Sequence, residues 1–180
     1  MYKLDLEEMY DYYRKNVSGG NYPISLPLAR YLNALCWKIK PTKILDRGAG
    51  FSSYVFRKYA LESWRWPKVF SVDSNEGWLN KTVDFLRYCE LKTEHLYLWS
   101  YFKTLPAYEW KFDIILEDYT ILTRVKSLHI MVDMLDKNGY LILDDADHER
   151  YTGPIFRAVK RFNLNKSYLF GGKVAILRKR

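Results

Sequence analysis

The chain has 180 residues, of which 48% are hydrophobic and 17% aromatic, enough for one domain with a core of its own. No apolar run reaches the length of a bilayer and the N-terminus carries no signal-peptide pattern. A membrane span and a secreted product are therefore not expected, and a cytoplasmic location is. The net charge of +8 leaves two readings open: a basic solvated surface, or an acidic partner such as nucleic acid.

In chain order, residues 3–15 are predicted to be a helix, since Leu6, Met9, Tyr10, Tyr13 and Val17 recur at helical spacing. Its tyrosines are read mainly as packing residues with wet hydroxyls; stacking on a flat ligand is the other possibility. Ser18-Gly19-Gly20-Asn21 interrupts the pattern, and Ile24 to Ile39 supplies a second helix, expected to start after Pro27. Residues 1–40 are thus expected to cap a main unit of residues 41–180.

Ile44-Leu45 is a short apolar strand. Asp46, Gly48 and Gly50 follow at once, and a helical pattern opens at Ser52 and runs to Leu61. Glycine is needed where backbone bends sharply or lies against a ligand. A second strand, Val69-Phe70-Ser71-Val72, ends in Asp73. An acid at that tip sits beside the glycine turn and can accept bonds from both ribose hydroxyls, so the site is expected to hold a nucleoside. A dinucleotide fingerprint would place a third glycine where Ser53 stands. Asp46 would repel a phosphate and suit a cationic amine and sulfonium. A nicotinamide cofactor is disfavoured on both counts.

Trp78–Tyr88 is predicted helical, and His95–Trp99 is predicted as a third strand with Ser100 and Tyr101 at its tip. Phe112–Leu116 is the fourth strand, ending in Glu117-Asp118-Tyr119. A helix to about Leu135 is expected to stop at Lys137-Asn138-Gly139. Tyr140–Leu143 is the fifth strand, ending in Asp144-Asp145-Ala146-Asp147-His148. Residues 154–162 read as a helix, with Ile155, Phe156 and Val159 inward and Arg157, Lys160 and Arg161 outward. Ser167–Phe170, Gly171-Gly172 and Val174–Leu177 read as a hairpin. The alternation predicts an α/β fold: a single doubly wound, mostly parallel, seven-stranded sheet with helices on both faces and a C-terminal antiparallel hairpin. Cys36 and Cys89 fall on helical patterns and read as buried free thiols. His95, at a strand start, is expected to be structural.

Asp-x-Gly-x-Gly followed by an acid after the next strand resembles the class I S-adenosylmethionine-dependent methyltransferases. The resemblance covers residues 25–178, and two helices ahead of the first strand match it. Arg47 departs from the apolar residue common there. The resemblance implies S-adenosylmethionine as cofactor, with Asp46 ordering the glycine turn under its methionine part. The implied cofactor contacts are Asp46, Gly48, Ala49, Gly50, Ser52, Asp73, Ser74, Ser100, Tyr101 and Asp118. Asp46, Asp73, Ser100, Asp118 and Asp145 are expected to face one crevice beyond the strand ends.

Removing a proton from an acceptor hydroxyl needs a base, and the candidates are the acids at 117–118 and 144–147 with His148; Asp118, Asp145 and His148 are the chosen catalytic residues. Crowded carboxylates imply either a tightly held proton or a cation between them. Asp118 and Asp145 also resemble two magnesium ligands of catechol-type O-methyltransferases, but Ala146 stands where those have Asn, and magnesium is not favoured. Helix capping and loop solvation are the structural alternative for these acids.

Glu117-Asp118-Tyr119-Thr120 lacks the proline stretch of enzymes that methylate base amines. The Pro-Cys pair of cytosine-carbon enzymes and the lysine tetrad of ribose enzymes are also missing. O-methyl transfer to a small molecule, sugar or peptide remains. The alternative is a non-catalytic scaffold that meets nucleic acid or a protein through Arg157, Lys160, Arg161 and the Arg178-Lys179-Arg180 tail.

Overall fold

A computed structural model describes residues 5–19 and 23–179, except for the side chains of residues 121 and 122. The chain runs α1 (Leu6–Asn16), α2 (Leu26–Ile39), β1 (Lys43–Arg47), α3 (Phe51–Glu62), β2 (Lys68–Asp73), α4 (Glu76–Tyr88) and β3 (Leu96–Leu98). It continues α5 (Trp99–Phe102), β4 (Phe112–Glu117), α6 (Ile121–Met134), β5 (Leu135–Leu143), α7 (Glu149–Phe162), β6 (Asn165–Leu169) and β7 (Val174–Arg178).

Neighbouring residues on each inner strand serve opposite faces of the sheet. Ile44, Ile114 and Ile142 join a core with α1–α4, while Leu45, Ile115 and Leu141 join a second core with α5–α7. Near-continuous apolar strands follow from this, because both faces are covered. The strand order is β3-β2-β1-β4-β5-β7-β6. β1 to β5 pair in parallel, and β7 runs antiparallel to both β5 and β6. This is the doubly wound, mostly parallel sheet that the alternation predicts. The hairpin turns through Phe170, Gly171 and Gly172, all at positive φ.

Several boundaries differ from expectation. Ser25 caps α2 by accepting the Leu28 N–H at 3.3 Å, so the helix begins at Leu26 and Pro27 lies inside its first turn. Lys137-Asn138-Gly139 does not end α6. The helix stops at Met134 and β5 begins directly, with Leu135 opposite Phe112 and then Tyr140 opposite Ile114. The residues between bulge out. Asn138 is left-handed, and a Cβ on Gly139 would lie 2.9 Å from the carbonyl oxygens of Asp136 and Phe112. β3 is shorter than expected, since Trp99 and Tyr101 wind into α5. Helix α7 starts before residue 154, capped by His148. Its buried stripe is Tyr151, Ile155 and Ala158, which leaves Phe156 exposed rather than inward.

α2 and α3 pack together, with α1 against both. Tyr13 is fully buried against Phe51 and Phe85, and Tyr12 stacks on Tyr88 at 4.4 Å. Cys36 and Cys89 are buried free thiols, and burial pushes the Cys89 thiol up to about 12. No helix among the described residues is long and apolar enough to cross a membrane. Gly20, Asn21 and Arg180 lie outside the described residues.

Candidate active site

The winding of the sheet reverses between β1 and β4, and the chain leaves the two strands in opposite directions. Ligands in open α/β sheets lie in the crevice beyond such a point. Here the two strand ends are bonded together by the Asp118 N–H, which donates to Arg47 O at 2.7 Å, while the Gly48 N–H ties the turn to β2 by donating to Val72 O at 3.0 Å. Gly48 has φ 111°, and a Cβ there would lie 2.1 Å from Asp118 O. Only glycine lets β1 turn against β4 so closely.

Asp46 lies under this turn and is fully buried. It accepts hydrogen bonds from the Ser52, Ser53 and Ser71 hydroxyls at 2.7, 2.5 and 2.9 Å. Ser53 Oγ in turn accepts the Gly50 N–H at 3.2 Å, and buried Arg57 donates to Ser71 Oγ at 2.6 Å. Burial pushes the Asp46 pKa up, and the three hydroxyls and Arg57 oppose it. Asp46 therefore ties the glycine turn to the start of α3 from below, instead of facing the crevice with the other strand-end acids.

Above the turn is a cleft of about 430 Å³ with Gly48, Ala49, Gly50 and Ser52 along its floor. On the β2 side stand Asp73 and Trp78. The Asp73 carboxylate accepts the Asn75 N–H at 2.9 Å; burial raises its pKa against the pull of nearby backbone N–H groups. Trp78 Nε1 donates to Ala49 O at 2.5 Å, which fixes the indole against the turn. On the far side, beyond β4 and β5, stand Asp118, Arg124, Asp144 and Asp145. Arg124 Nη2 donates to Asp118 Oδ1 at 2.8 Å and to Asp145 Oδ2 at 3.3 Å. Its Nη1 donates to Asp144 O at 2.5 Å and its Nε to Tyr119 O. Burial, then Asp144, lifts the Asp118 pKa well above its ordinary value, with Arg124 opposing. Burial, then Asp145, lifts Asp144 to about 6.

No family model matches the sequence, and no curated protein sequence matches it. Solved structures do. An SAH-bound methyltransferase from Podospora anserina superposes with a TM-score of 0.73 at 17% identity, over 97% of this chain and 87% of that one. An O-methyltransferase from Bacillus cereus in complex with SAH gives 0.68 at 12% identity, over 97% and 90%. TomG from Streptomyces achromogenes, an O-methyltransferase of tomaymycin synthesis in complex with SAM, gives 0.68 at 12%, over 97% and 89%. The chain has the class I methyltransferase fold.

Within that fold, the sequence-predicted residues separate into two groups. Gly48, Ala49, Gly50, Ser52, Asp73, Asp118 and Asp145 share the cleft. Ser74 is exposed on the turn after β2. Ser100 and Tyr101 are exposed on α5, because the chain coils there instead of extending the strand. His148 is exposed and its Nδ1 accepts the Arg150 N–H at 3.2 Å, so it serves as the α7 cap. His95 stacks on Phe70 at 4.7 Å, with Nδ1 3.1 Å from Tyr97 Oη. Glu117 leaves the base candidates altogether: it points away from the cleft and is paired with Arg47 at 2.6 Å, both side chains fully buried. That pair also accounts for the departure of Arg47 from an apolar residue.

The cleft also holds Trp78, Arg124 and Asp144, which were not chosen from sequence. Asp144 belongs to the acidic run after β5, while a lone arginine in a helix carries no local signal. The expected cation between the carboxylates is Arg124. Magnesium does not fit these residues, because Asp118 and Asp145 already turn an oxygen to the guanidinium and the neighbouring Ala146 is buried and has no donor. Of the basic face, Arg157, Lys160 and Arg161 are exposed on α7, but Lys179 Nζ is spent on Leu135 O at 3.0 Å.

Proposed function

We propose that the protein is an S-adenosylmethionine-dependent methyltransferase that methylates a hydroxyl of a small molecule. The observation that carries the reading is the meeting of Asp73, the Gly48–Gly50 turn and Asp144 in one cleft at the sheet's switch point. In this reading Asp73 accepts the ribose hydroxyls and the backbone of the turn holds the methionine part. The cofactor supplies a methyl group that is already electrophilic on its sulfonium. The chain's own task is to orient the acceptor and take its proton.

Asp144 suits that second task better than Asp118, Asp145 or His148. Its pKa of about 6 lies near neutral pH, and its carboxylate is not tied to Arg124. It also lines an adjoining cavity of about 320 Å³, shared with Tyr10, Arg14, Phe170 and Lys173. This cavity is the proposed acceptor site. Two aromatic rings favour a flat body, and a lining that carries Arg14 and Lys173 beside Asp144 and Asp145 favours polar groups on it.

Calorimetric titration with S-adenosylmethionine, S-adenosylhomocysteine and NAD tests the reading. Micromolar binding of the first two and not the third supports it and opens an acceptor screen. Absence of all three would overturn it and favour a scaffold that meets its partner through Arg157, Lys160 and Arg161.

A further inference from the structure

We propose that Arg124 is the resident cation of the acid-lined end of the cleft, standing in the place of a divalent ion, so that cofactor binding and methyl transfer need no metal. The part concerning transfer rests on the proposed function. The part concerning charge rests on the geometry alone.

Three carboxylates, Asp118, Asp144 and Asp145, converge there from the ends of the adjacent strands β4 and β5. The Asp118 side chain is only 20% exposed and that of Asp145 67%, and a positive group among the three relieves their mutual repulsion. Arg124 is 5% exposed and meets acceptors from both strand ends: Tyr119 O and Asp118 Oδ1 after β4, Asp144 O and Asp145 Oδ2 after β5. The planar fork of a guanidinium reaches several oxygens at once. A metal ion would need some of the same oxygens at about 2.0–2.6 Å from one point, and the guanidinium fills that point.

The position of Arg124 in its helix strengthens the inference. It lies in the first turn of α6, where the helix dipole disfavours a cation. The neighbouring acids, not the helix, hold it there. Because both strand ends are bonded to one side chain, Arg124 is a positioning residue: it holds Asp118 beside the Gly48 turn and leaves the Asp144 carboxylate, which accepts the Asp145 N–H at 3.1 Å, outside its own hydrogen bonds.

The test uses the full chain after chelator treatment, with Mn²⁺ and Mg²⁺ as probes and S-adenosylhomocysteine as cofactor ligand. Wild-type protein is expected to show no saturable metal uptake by calorimetry, and the same cofactor affinity with a chelator or with metal. Arg124→Ser, which leaves the carboxylates uncompensated, is expected to take up one Mn²⁺ and to bind the cofactor at least about tenfold more tightly with the ion than without it. Arg124→Lys, which keeps a charge but not the fork, is expected to stay insensitive to metal.

Stoichiometric metal uptake by the wild type, or a cofactor affinity that collapses with chelator, would overturn the proposal. So would a folded Arg124→Ser that ignores Mn²⁺. If Arg124→Ser does not fold, the wild-type and Arg124→Lys titrations decide on the same criteria. If no form binds the cofactor, the methyltransferase reading fails, while metal uptake still decides the charge assignment.

Discussion

Arg47 and Glu117 face each other across β1 and β4 as register partners, with Nη1 at 2.6 and 2.8 Å from the two carboxylate oxygens. Ser127 Oγ lies 2.5 Å from the same nitrogen, and the guanidinium sits between the Trp99 and Tyr119 rings at 4.4 and 4.5 Å. Both side chains are completely buried. The ion pair thus clamps the two strands that carry the glycine turn and Asp118.

A buried pair is costly to break and cheap to replace. Arg47→Leu alone leaves Glu117 charged and unpartnered, and is expected to cost about 3–5 kcal/mol in chemical denaturation. The double change Arg47→Leu with Glu117→Leu is expected to recover most of that loss. A double variant as unstable as the single one would show that the pair itself holds the strands in register.

Gly48 and Gly50 are expected to fail differently. Gly48→Ala places a Cβ 2.1 Å from a backbone oxygen at φ 111°, so the two strand ends must separate. A loss of about 2–4 kcal/mol in thermal or denaturant unfolding is expected. Gly50 has extended φ and any residue can adopt it; a Cβ there would meet Tyr13 Oη at 3.2 Å and Trp78 Nε1 at 3.7 Å. Gly50→Val should therefore fold and lose cofactor affinity by displacing the indole and α1. Calorimetry beside a melting curve separates the two outcomes.

Asp73→Ala is expected to weaken S-adenosylhomocysteine by about 1–3 kcal/mol, the cost of leaving hydroxyls unpaired, with little change in melting temperature. Equal affinity in the two proteins would place the ribose elsewhere in the cleft.

Asp144 makes stability and activity move oppositely with pH. Its pKa is about 6 when folded against the ordinary carboxylate value of 3.8, so the folded state binds more protons in between. The stabilising contribution is present below the lower value and is lost as pH rises through about 6. Asp144→Asn should flatten that fall and melt higher than wild type at pH 8. Methyl transfer should instead rise through pH 6 in the wild type, as the base loses its proton. In Asp144→Asn it should drop by about 10²-fold or more. A variant with full activity would remove Asp144 from the proton transfer.

The β–turn–α order was legible in the chain because it rests on short-range signals: apolar runs at Ile44–Leu45 and Ile114–Leu116, glycines where backbone must turn, an acid at the tip of β2. These carry the fold class and the floor of the cleft. What a neighbouring side chain faces is another matter. Glu117 and Asp118 are adjacent, yet the pleat sends one into an ion pair with Arg47 and the other into the cleft. Asp46 looks like a ligand residue in the chain, but three hydroxyls and Arg57 take its charge beneath the turn. Arg124 has no local motif, because its partners come from two strand ends that meet through sheet order and register. Local pattern depends on residues a few positions apart, and the charge balance of the site depends on residues that touch only after the sheet has closed.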